Sequence, residues 1–119
     1  MILNRITLSG FRNYTKQVFD FSPYITLISG NNAVGKTNIV EAIFLLSAGK
    51  SFRADRDMEM LHWDKELGRV KGMLDDTTLE VMVTNGDVGG QKTPIKKLFV
   101  NGVSRRSIDF IGNLKAVLF

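Results

Sequence analysis

The sequence predicts an α/β fold, in which a mixed β-sheet with antiparallel hairpins packs around one helix. Three observations lead to this prediction. Short stretches rich in β-branched and aromatic residues alternate with turn residues along most of the chain. One segment, residues 36–46, instead repeats its apolar residues at helical spacing. A glycine-containing loop at 30–37 connects that helix to an apolar segment at 25–28, which gives the order strand, loop, helix.

Length and composition predict one folded domain. The chain has 119 residues, of which 44% are hydrophobic and 24% are charged. These fractions are close to globular averages and exclude disordered, collagen-like and coiled-coil chains. We therefore expect residues 1–119 to form one domain with its own core. Because the chain stops at Phe119 inside an apolar run, whereas domains usually end in polar surface residues, we expect that domain to be incomplete.

Charge and residue content restrict the partners and the site chemistry. Sixteen Lys and Arg against twelve Asp and Glu give a net charge of +4, which permits a polyanionic partner without requiring one. The absence of cysteine, with His62 as the one histidine, excludes disulfides, thiolate sites and histidine metal clusters. No stretch approaches the roughly 18 to 20 apolar residues of a membrane helix, and no secretory signal opens the chain. We expect a cytoplasmic protein with no membrane partner.

The first half of the chain predicts a hairpin, a buried strand and a helix, in that order. Residues 2–8 and 16–21 are rich in strand-forming types, and turn residues separate them. Residues 25–28 form a brief apolar segment typical of a buried strand. In residues 36–46 apolar side chains recur every three or four positions until Ala48-Gly49 ends the pattern. The helix is therefore predicted to follow the loop directly.

Residues 55–84 predict a short helix and a second hairpin. We expect a helix over 55–62 with Met58 and Leu61 on one side. Segments 69–74 and 78–84 alternate around Asp75-Asp76, which we interpret as a solvated turn rather than a metal-binding pair.

The last third of the chain predicts a loop, a strand, a tight turn and a short helix. Three glycines between residues 86 and 90 favour a flexible loop, after which 95–100 is predicted to be a strand. Asn101-Gly102 is typical of a type I′ turn, because both central positions need positive φ. A short helix at 107–113 then leads into a strand-like run at 116–119.

The loop at 30–37 carries the chemistry that can be derived from the residues. Its sequence is Gly30-Asn31-Asn32-Ala33-Val34-Gly35-Lys36-Thr37, which matches G-x-x-x-x-G-K-[ST]. Inward-pointing backbone N–H groups and the helix N-terminus cradle the α- and β-phosphates of a nucleotide. Lys36 would reach the β- and γ-phosphates, and the Thr37 hydroxyl would hold Mg²⁺. The predicted cofactors are ATP and Mg²⁺.

Hydrolysis needs parts that the sequence does not supply. A carboxylate that positions Mg²⁺ and a residue that orients water usually follow an apolar strand. No run of four apolar residues is followed by Asp or Glu here. We therefore assign no catalytic residue and expect the 119 residues alone to be inactive.

Several motifs together resemble the N-terminal part of the RecF family, bacterial recombination-mediator ATPases related to structural-maintenance-of-chromosomes (SMC) and ABC-type ATPases. They are Phe11-Arg12-Asn13-Tyr14, the loop extended through Asn38, Glu41-Ala42-Ile43, Gly49-Lys50-Ser51-Phe52-Arg53, and the Val100-Asn101-Gly102 hairpin followed by a basic pair. The resemblance covers the whole chain. It implies the N-terminal lobe of an ABC/SMC-type ATPase head, with the acidic strand and the signature motif further along the protein.

The resemblance also implies a function and partners. Arg12 and Asn13, brought beside the loop by the first hairpin, would touch the nucleotide phosphates, and an arginine fork matches phosphate geometry. The complete protein would be a weak ATPase that forms an ATP-dependent homodimer, binds duplex DNA and works with recombination-mediator proteins. Phe11 and Tyr14 are expected to pack in the core or hairpin rather than on adenine.

Two groups of basic residues could contact DNA or could simply be solvated. The first lies in a stretch without acidic residues and comprises Lys92, Lys96, Lys97, Arg105 and Arg106. The second comprises Arg53 and Arg56, near Lys50, and is diluted by neighbouring acidic residues. No aromatic residue interleaves either group as a base-stacking platform. We interpret His62-Trp63 as a packing pair at a helix end.

Two other functions stay open at this stage. The same lobe could belong to an ATP-regulated nuclease of the OLD type, whose nuclease domain would lie further along the chain. Alternatively, the loop could be part of a non-hydrolytic binding module, although intact Lys36 and Thr37 argue against this.

Overall fold

The structure, a computed structural model, describes residues 3–21 and 33–114, with the backbone alone at 33–36. The predicted strands at 25–28 and 116–119 lie outside these residues, as do loop residues 30–32.

Eight strands and three helical segments make up the described part of the chain. The strands are β1 (Arg5–Phe11), β2 (Tyr14–Asp20), β3 (Leu67–Met73), β4 (Thr78–Thr84), β5 (Asp87–Val88), β6 (Gln91–Lys92), β7 (Lys96–Val100) and β8 (Val103–Arg105). The helical segments are α1 (Ala33–Ala48), a 3₁₀ helix (Asp57–Met60) and α2 (Ser107–Phe110). Six strands form one sheet in the order β2-β1-β3-β4-β7-β8, and all the described pairings are antiparallel. This arrangement confirms the predicted fold class.

One face of the sheet, the inner face, packs against α1 and forms the core. Alternate strand residues point to this face because side chains in a strand have a period of two. The buried strand residues are Ile6, Leu8, Val70, Leu79, Val81, Val83 and Leu98, and α1 contributes Ala42, Leu45 and Leu46. Gly72 lets the helix come close, since a Cβ there would lie 2.5 Å from Leu46 Cδ1.

The predicted helix at 36–46 lies within α1, which ends as the sequence indicates. Gly49 has φ +72°, and its N–H donates to the Leu45 carbonyl at 2.8 Å. A glycine in the left-handed region commonly ends a helix in this way because it has no Cβ to clash.

Both sequence-predicted hairpins are present. In the second, Arg69 pairs with Met82 and Val70 with Val81, and Asp75-Asp76 lies exposed in the turn as expected. After β7, Asn101 and Gly102 have φ values of 52° and 80°, which fits the predicted type I′ turn. The turn leads into β8, a strand that we had not delimited from the sequence.

The helix predicted over 55–62 was wrong in length and type. The segment forms a four-residue 3₁₀ helix whose buried side chain is Met60, while Met58 is 42% exposed. Leu61 lies beyond the end of this helix in an extended conformation, so Met58 and Leu61 do not share a helix face.

Two later predictions also need correction. The glycine-rich segment forms a two-stranded hairpin, β5–β6, because Gly89 and Gly90 take positive φ at its turn. The helix predicted over 107–113 is only α2, since Ile111 is already extended and Gly112 has φ +97°. Among the described residues, no helix is long and apolar enough to cross a membrane.

Candidate functional site

The turn between β1 and β2 is fixed beside α1. The Arg12 N–H donates to the Met60 carbonyl and the His62 N–H donates to the Gly10 carbonyl, both at 2.8 Å. Phe11 is 2% exposed, and Tyr14 packs against the core, which confirms their predicted packing role. Arg12 has φ 51°, a left-handed conformation that costs a non-glycine residue about 1 kcal/mol. The surrounding contacts therefore hold this turn in one defined position.

A buried carboxylate on α1 binds the turn from the helix side. The Glu41 side chain is fully buried. It accepts hydrogen bonds from Arg12 Nε at 2.8 Å and Arg12 Nη2 at 2.6 Å, a two-pronged pairing. It also accepts from Arg53 Nη2 at 3.0 Å and from the Ser51 hydroxyl at 2.5 Å. One helix residue thus connects the first hairpin with the segment that follows α1.

The donors around Glu41 keep it ionised. Burial by itself would raise the pKa of Glu41, because a charged carboxylate is poorly solvated inside the protein. Hydrogen bonds from Arg12, Arg53 and Ser51 favour the ionised form and outweigh burial, so the pKa lies below its ordinary value. At neutral pH the site therefore contains a negative charge between two guanidinium groups.

Asn38 makes a second bridge, one turn earlier on the same helix face. It is 3% exposed, and its Nδ2 donates to Asn13 Oδ1 at 2.8 Å. Its Oδ1 accepts a hydrogen bond from Arg53 Nη2. Residues three apart lie on one side of a helix, so Asn38 and Glu41 face the same partners. Sequence reasoning did not select either as a site residue, although two polar residues within an apolar helical stripe were the available signal.

Ser51 directs Arg53 toward the helix. The Ser51 hydroxyl accepts the backbone N–H groups of Arg53 at 3.1 Å and Ala54 at 3.0 Å. Such a local turn fixes the chain direction just after α1. Arg53 contacts Asn38 and Glu41. Arg53 and Arg56, which we had grouped as DNA contacts, are both exposed residues.

These side chains line a surface pocket of about 380 Å³. The lining residues are Arg12, Asn13, Asn38, Arg53, Glu59, Leu61 and Trp63. Asn38 directly follows Thr37, so the pocket adjoins the end of the phosphate-loop motif on α1. The structure thus brings Arg12 and Asn13 to the helix that carries Lys36 and Thr37.

His62 and Trp63 differ sharply in exposure. Their rings stack with centroids 5.5 Å apart and planes at 23°. His62 is 7% exposed, and its Nδ1 accepts the Asp64 N–H at 3.0 Å. Trp63 is 87% exposed. The expected packing role therefore holds for His62 but was wrong for Trp63.

The five basic residues between 92 and 106 do not share one surface. The register aligns Arg105 with Leu98, which is two residues from Lys96, so these three lie on the inner face. Lys97 lies on the opposite face, where its Nζ is 5.7 Å from the Phe99 ring centroid.

Two of these basic residues lie near carboxylates. Lys96 Nζ lies 3.5 Å from Asp57, and Arg106 Nε lies 3.5 Å from Asp109. Lys92 is exposed on β6.

The donor set fits a polyphosphate. Guanidinium groups and side-chain amides supply N–H donors to phosphate oxygens, and Arg12, Arg53, Asn13 and Asn38 provide both kinds in one pocket. In the described part of the chain, no cluster of three or more acidic or histidine side chains could hold a metal ion. The assignment of Mg²⁺ to Thr37 stays a prediction.

Comparison with known proteins gives consistent matches along the chain. The family model for the RecF/RecN/SMC N terminal domain matches residues 2–106. DNA replication and repair protein RecF of Limosilactobacillus fermentum is 37% identical over 123 residues, and that of Oenococcus oeni is 38% identical over 124. Each match covers 100% of this chain and 31% of the relative, so the chain spans about a third of those proteins.

Solved structures match as well. A structure of the recombination mediator protein RecF with ATP superposes with a TM-score of 0.82 at 31% identity, covering 99% of this chain and 32% of that one. The SMC head domain from Thermotoga maritima superposes with a TM-score of 0.69 at 22% identity, covering 92% of this chain and 40% of that one. The second likeness concerns the fold alone.

Proposed function

Because the chain belongs to the family of RecF/RecN/SMC N-terminal domains, we propose that it is the ATP-binding lobe of a RecF-like DNA repair ATPase. One observation carries the proposal at the level of the site. Arg12 and Asn13 are held by Glu41 and Asn38 on the helix that contains the end of the phosphate-loop motif. Relatives that carry the RecF name over the whole chain favour this function over the OLD-type nuclease.

In the proposed function, the loop at 30–37 binds the phosphates of ATP. Lys36 places its charge at the β- and γ-phosphates, and the Thr37 hydroxyl is a ligand of Mg²⁺. Arg12 adds a guanidinium from the first hairpin. A guanidinium has five N–H donors, and Glu41 accepts two of them, so Arg12 can bind a phosphate oxygen while staying paired.

Hydrolysis belongs to the complete protein in this proposal. No run of four apolar residues in the sequence is followed by Asp or Glu, and the chain spans about a third of its RecF relatives. We expect ATP turnover and ATP-dependent dimerisation to need the remaining two thirds. The 119 residues alone should bind nucleotide without turnover above background.

The proposed macromolecular partners are duplex DNA and recombination-mediator proteins. The support is the name of the relatives, DNA replication and repair protein, and the description of a solved neighbour as a recombination mediator in the RecFOR pathway. Exposed Lys92, Arg105 and Arg106 could add a salt-dependent contact to phosphates.

Calorimetric titration of ATP into the complete protein tests the proposal. Lys36→Ala should weaken binding by roughly ten- to a hundredfold, because a hydrogen bond to a charged group contributes about 1.5 to 3 kcal/mol. Lys50→Ala is the matched control, since it removes an exposed lysine beyond the end of α1. Equal ATP affinity in folded Lys36→Ala and in the control would refute the loop assignment, and no ATP binding at all would refute the function.

A further inference from the structure

Trp63 is the most exposed large apolar side chain in the described part of the chain, at 87%. Tryptophan usually buries much of its large apolar surface, and exposed aromatic groups next to polar pockets often mark binding sites. Apart from its stack on His62, the indole is left exposed by the described part of the chain, so its position needs another explanation.

The indole is held on a rigid support. Its stacking partner His62 is buried, and the backbone of His62 is tied to Gly10 at 2.8 Å and to Lys65 at 3.0 Å. Leu61 forms an isolated bridge with Phe11, in the core of the first hairpin. A ring supported in this way loses little conformational entropy when a flat ligand stacks on it.

The support also fixes where the ring lies. The segment Met60–His62 bonds to Gly10 and Arg12, and it therefore carries Trp63 to the hairpin turn that holds Arg12 and Asn13. Trp63 and Leu61 line the same pocket as these polar residues. The pocket thus combines phosphate-binding donors with an indole and an aliphatic side chain.

We propose that Trp63 is the platform on which the purine base of the bound nucleotide stacks. The proposal rests on the proposed function, since the phosphate loop and Arg12 would hold the phosphates of the same molecule. A base is separated from its phosphates by one ribose, and the pocket offers an aromatic surface beside the phosphate donors. Stacking accepts any base with a large π-face, so Trp63 favours purines without distinguishing adenine from guanine.

The sole tryptophan of the chain makes the proposal directly measurable. In the full 119-residue chain, ATP and GTP should change Trp63 fluorescence, whereas inorganic tripolyphosphate, which has no base, should leave it unchanged. Calorimetry of Trp63→Ala should show a loss of ATP affinity of about 5- to 150-fold, the range measured for base stacking on aromatic residues. Tripolyphosphate affinity should be unchanged, and Trp63→Phe should retain most ATP affinity. Ile108→Ala, which truncates another exposed apolar residue, is the control.

The outcomes separate the base platform from the proposed function. If Lys36→Ala loses ATP binding while Trp63→Ala keeps wild-type ATP affinity, the platform is wrong and the phosphate site stands. An equal loss of ATP and tripolyphosphate affinity in Trp63→Ala also overturns the platform, because it indicates a structural effect. If the wild-type chain binds neither ligand, the proposed function fails and the platform fails with it.

Discussion

The Arg12 guanidinium and the buried Glu41 carboxylate are joined by two hydrogen bonds, of 2.8 and 2.6 Å, between a hairpin turn and a helix. This pairing connects the first hairpin, which is far from α1 in sequence, to the helix of the phosphate-loop motif. Arg53 binds the same carboxylate from the segment after the helix. The Glu41 side chain therefore joins the first hairpin and the segment after α1 to the same helix.

Glu41→Gln should destabilise the domain strongly. The substitution keeps the shape of the side chain but leaves Arg12 and Arg53 facing a neutral amide. Breaking a buried ion pair from one side costs about 3 to 5 kcal/mol, and because the two arginines are partly exposed we expect about 3 kcal/mol. Urea unfolding of wild type and Glu41→Gln measures this change in the free energy of unfolding. Asp20→Asn, in the exposed Arg5–Asp20 pair, is the control and should change stability by about 1 kcal/mol or less.

Acid should remove the contribution that ionised Glu41 makes to the free energy of unfolding. Its folded pKa is lowered, so near and below the ordinary value of 4.5 the unfolded chain takes up a proton at this carboxylate more readily than the folded protein does. The stabilisation is fully present above pH 4.5 and is lost as the pH falls through the folded pKa. The difference in unfolding free energy between wild type and Glu41→Gln should therefore be constant from pH 7 to 5.5 and shrink below pH 4.5. A constant difference down to acid unfolding would contradict the assigned ionisation.

Gly68→Ala should displace the first hairpin from β3. A Cβ at Gly68 would overlap the backbone carbonyl of Gly10, which cannot rotate away as a side chain would. We expect a loss of about 2 kcal/mol or more in unfolding free energy, the size of a serious backbone conflict. Gly89→Ala is the comparison, since its Cβ would meet no atom within 4 Å and only its φ of +60° is unfavourable. Gly89→Ala should lower the unfolding free energy by about 1 kcal/mol. An equal loss in Gly68→Ala would show that the first hairpin accommodates the added Cβ without strain.

Local patterns predicted those parts of the fold whose causes are local. Helical periodicity gave α1, and the positive φ required of Asn101 and Gly102 gave the last turn. The segment around Met60 was mispredicted because its conformation depends on hydrogen bonds to Arg12 and Gly10, about fifty residues earlier.

The site residues also differ in whether the local sequence or the tertiary fold determines them. The phosphate-loop motif is contiguous, and its residues were identified from sequence, while Arg12 and Asn13 came from the family resemblance. The contacts of Glu41 and Asn38 join segments that only the fold brings together. The exposure of Trp63 is likewise a tertiary property, since nothing in its neighbouring residues distinguishes an exposed indole from a buried one.

The basic residues at the end of β8 give a prediction about DNA. If Arg105 and Arg106 contact phosphates, replacing both by alanine should flatten the slope of log affinity against log salt by nearly two, at about 0.9 per contact. The slope should change by the same amount for unrelated duplex sequences, since phosphate contacts carry no base information. The measurement is a salt series of duplex binding by the complete protein with saturating ATP.

The two sheet faces supply the matched control for that experiment. Lys71→Ala with Lys97→Ala removes the same charge from the opposite face, because Lys71 pairs with Thr7 and Lys97 with Met82, both outside the core cluster. If DNA lies along β8, the control should keep the wild-type slope, since charges on the far face are separated from the phosphates by the sheet. If only the control flattens the salt dependence, the result would indicate that DNA binds to the outer face of the sheet. If wild type and both double variants give parallel plots of log affinity against log salt, Arg105 and Arg106 are solvated surface residues. That result would agree with the 3.5 Å distance between Arg106 Nε and Asp109.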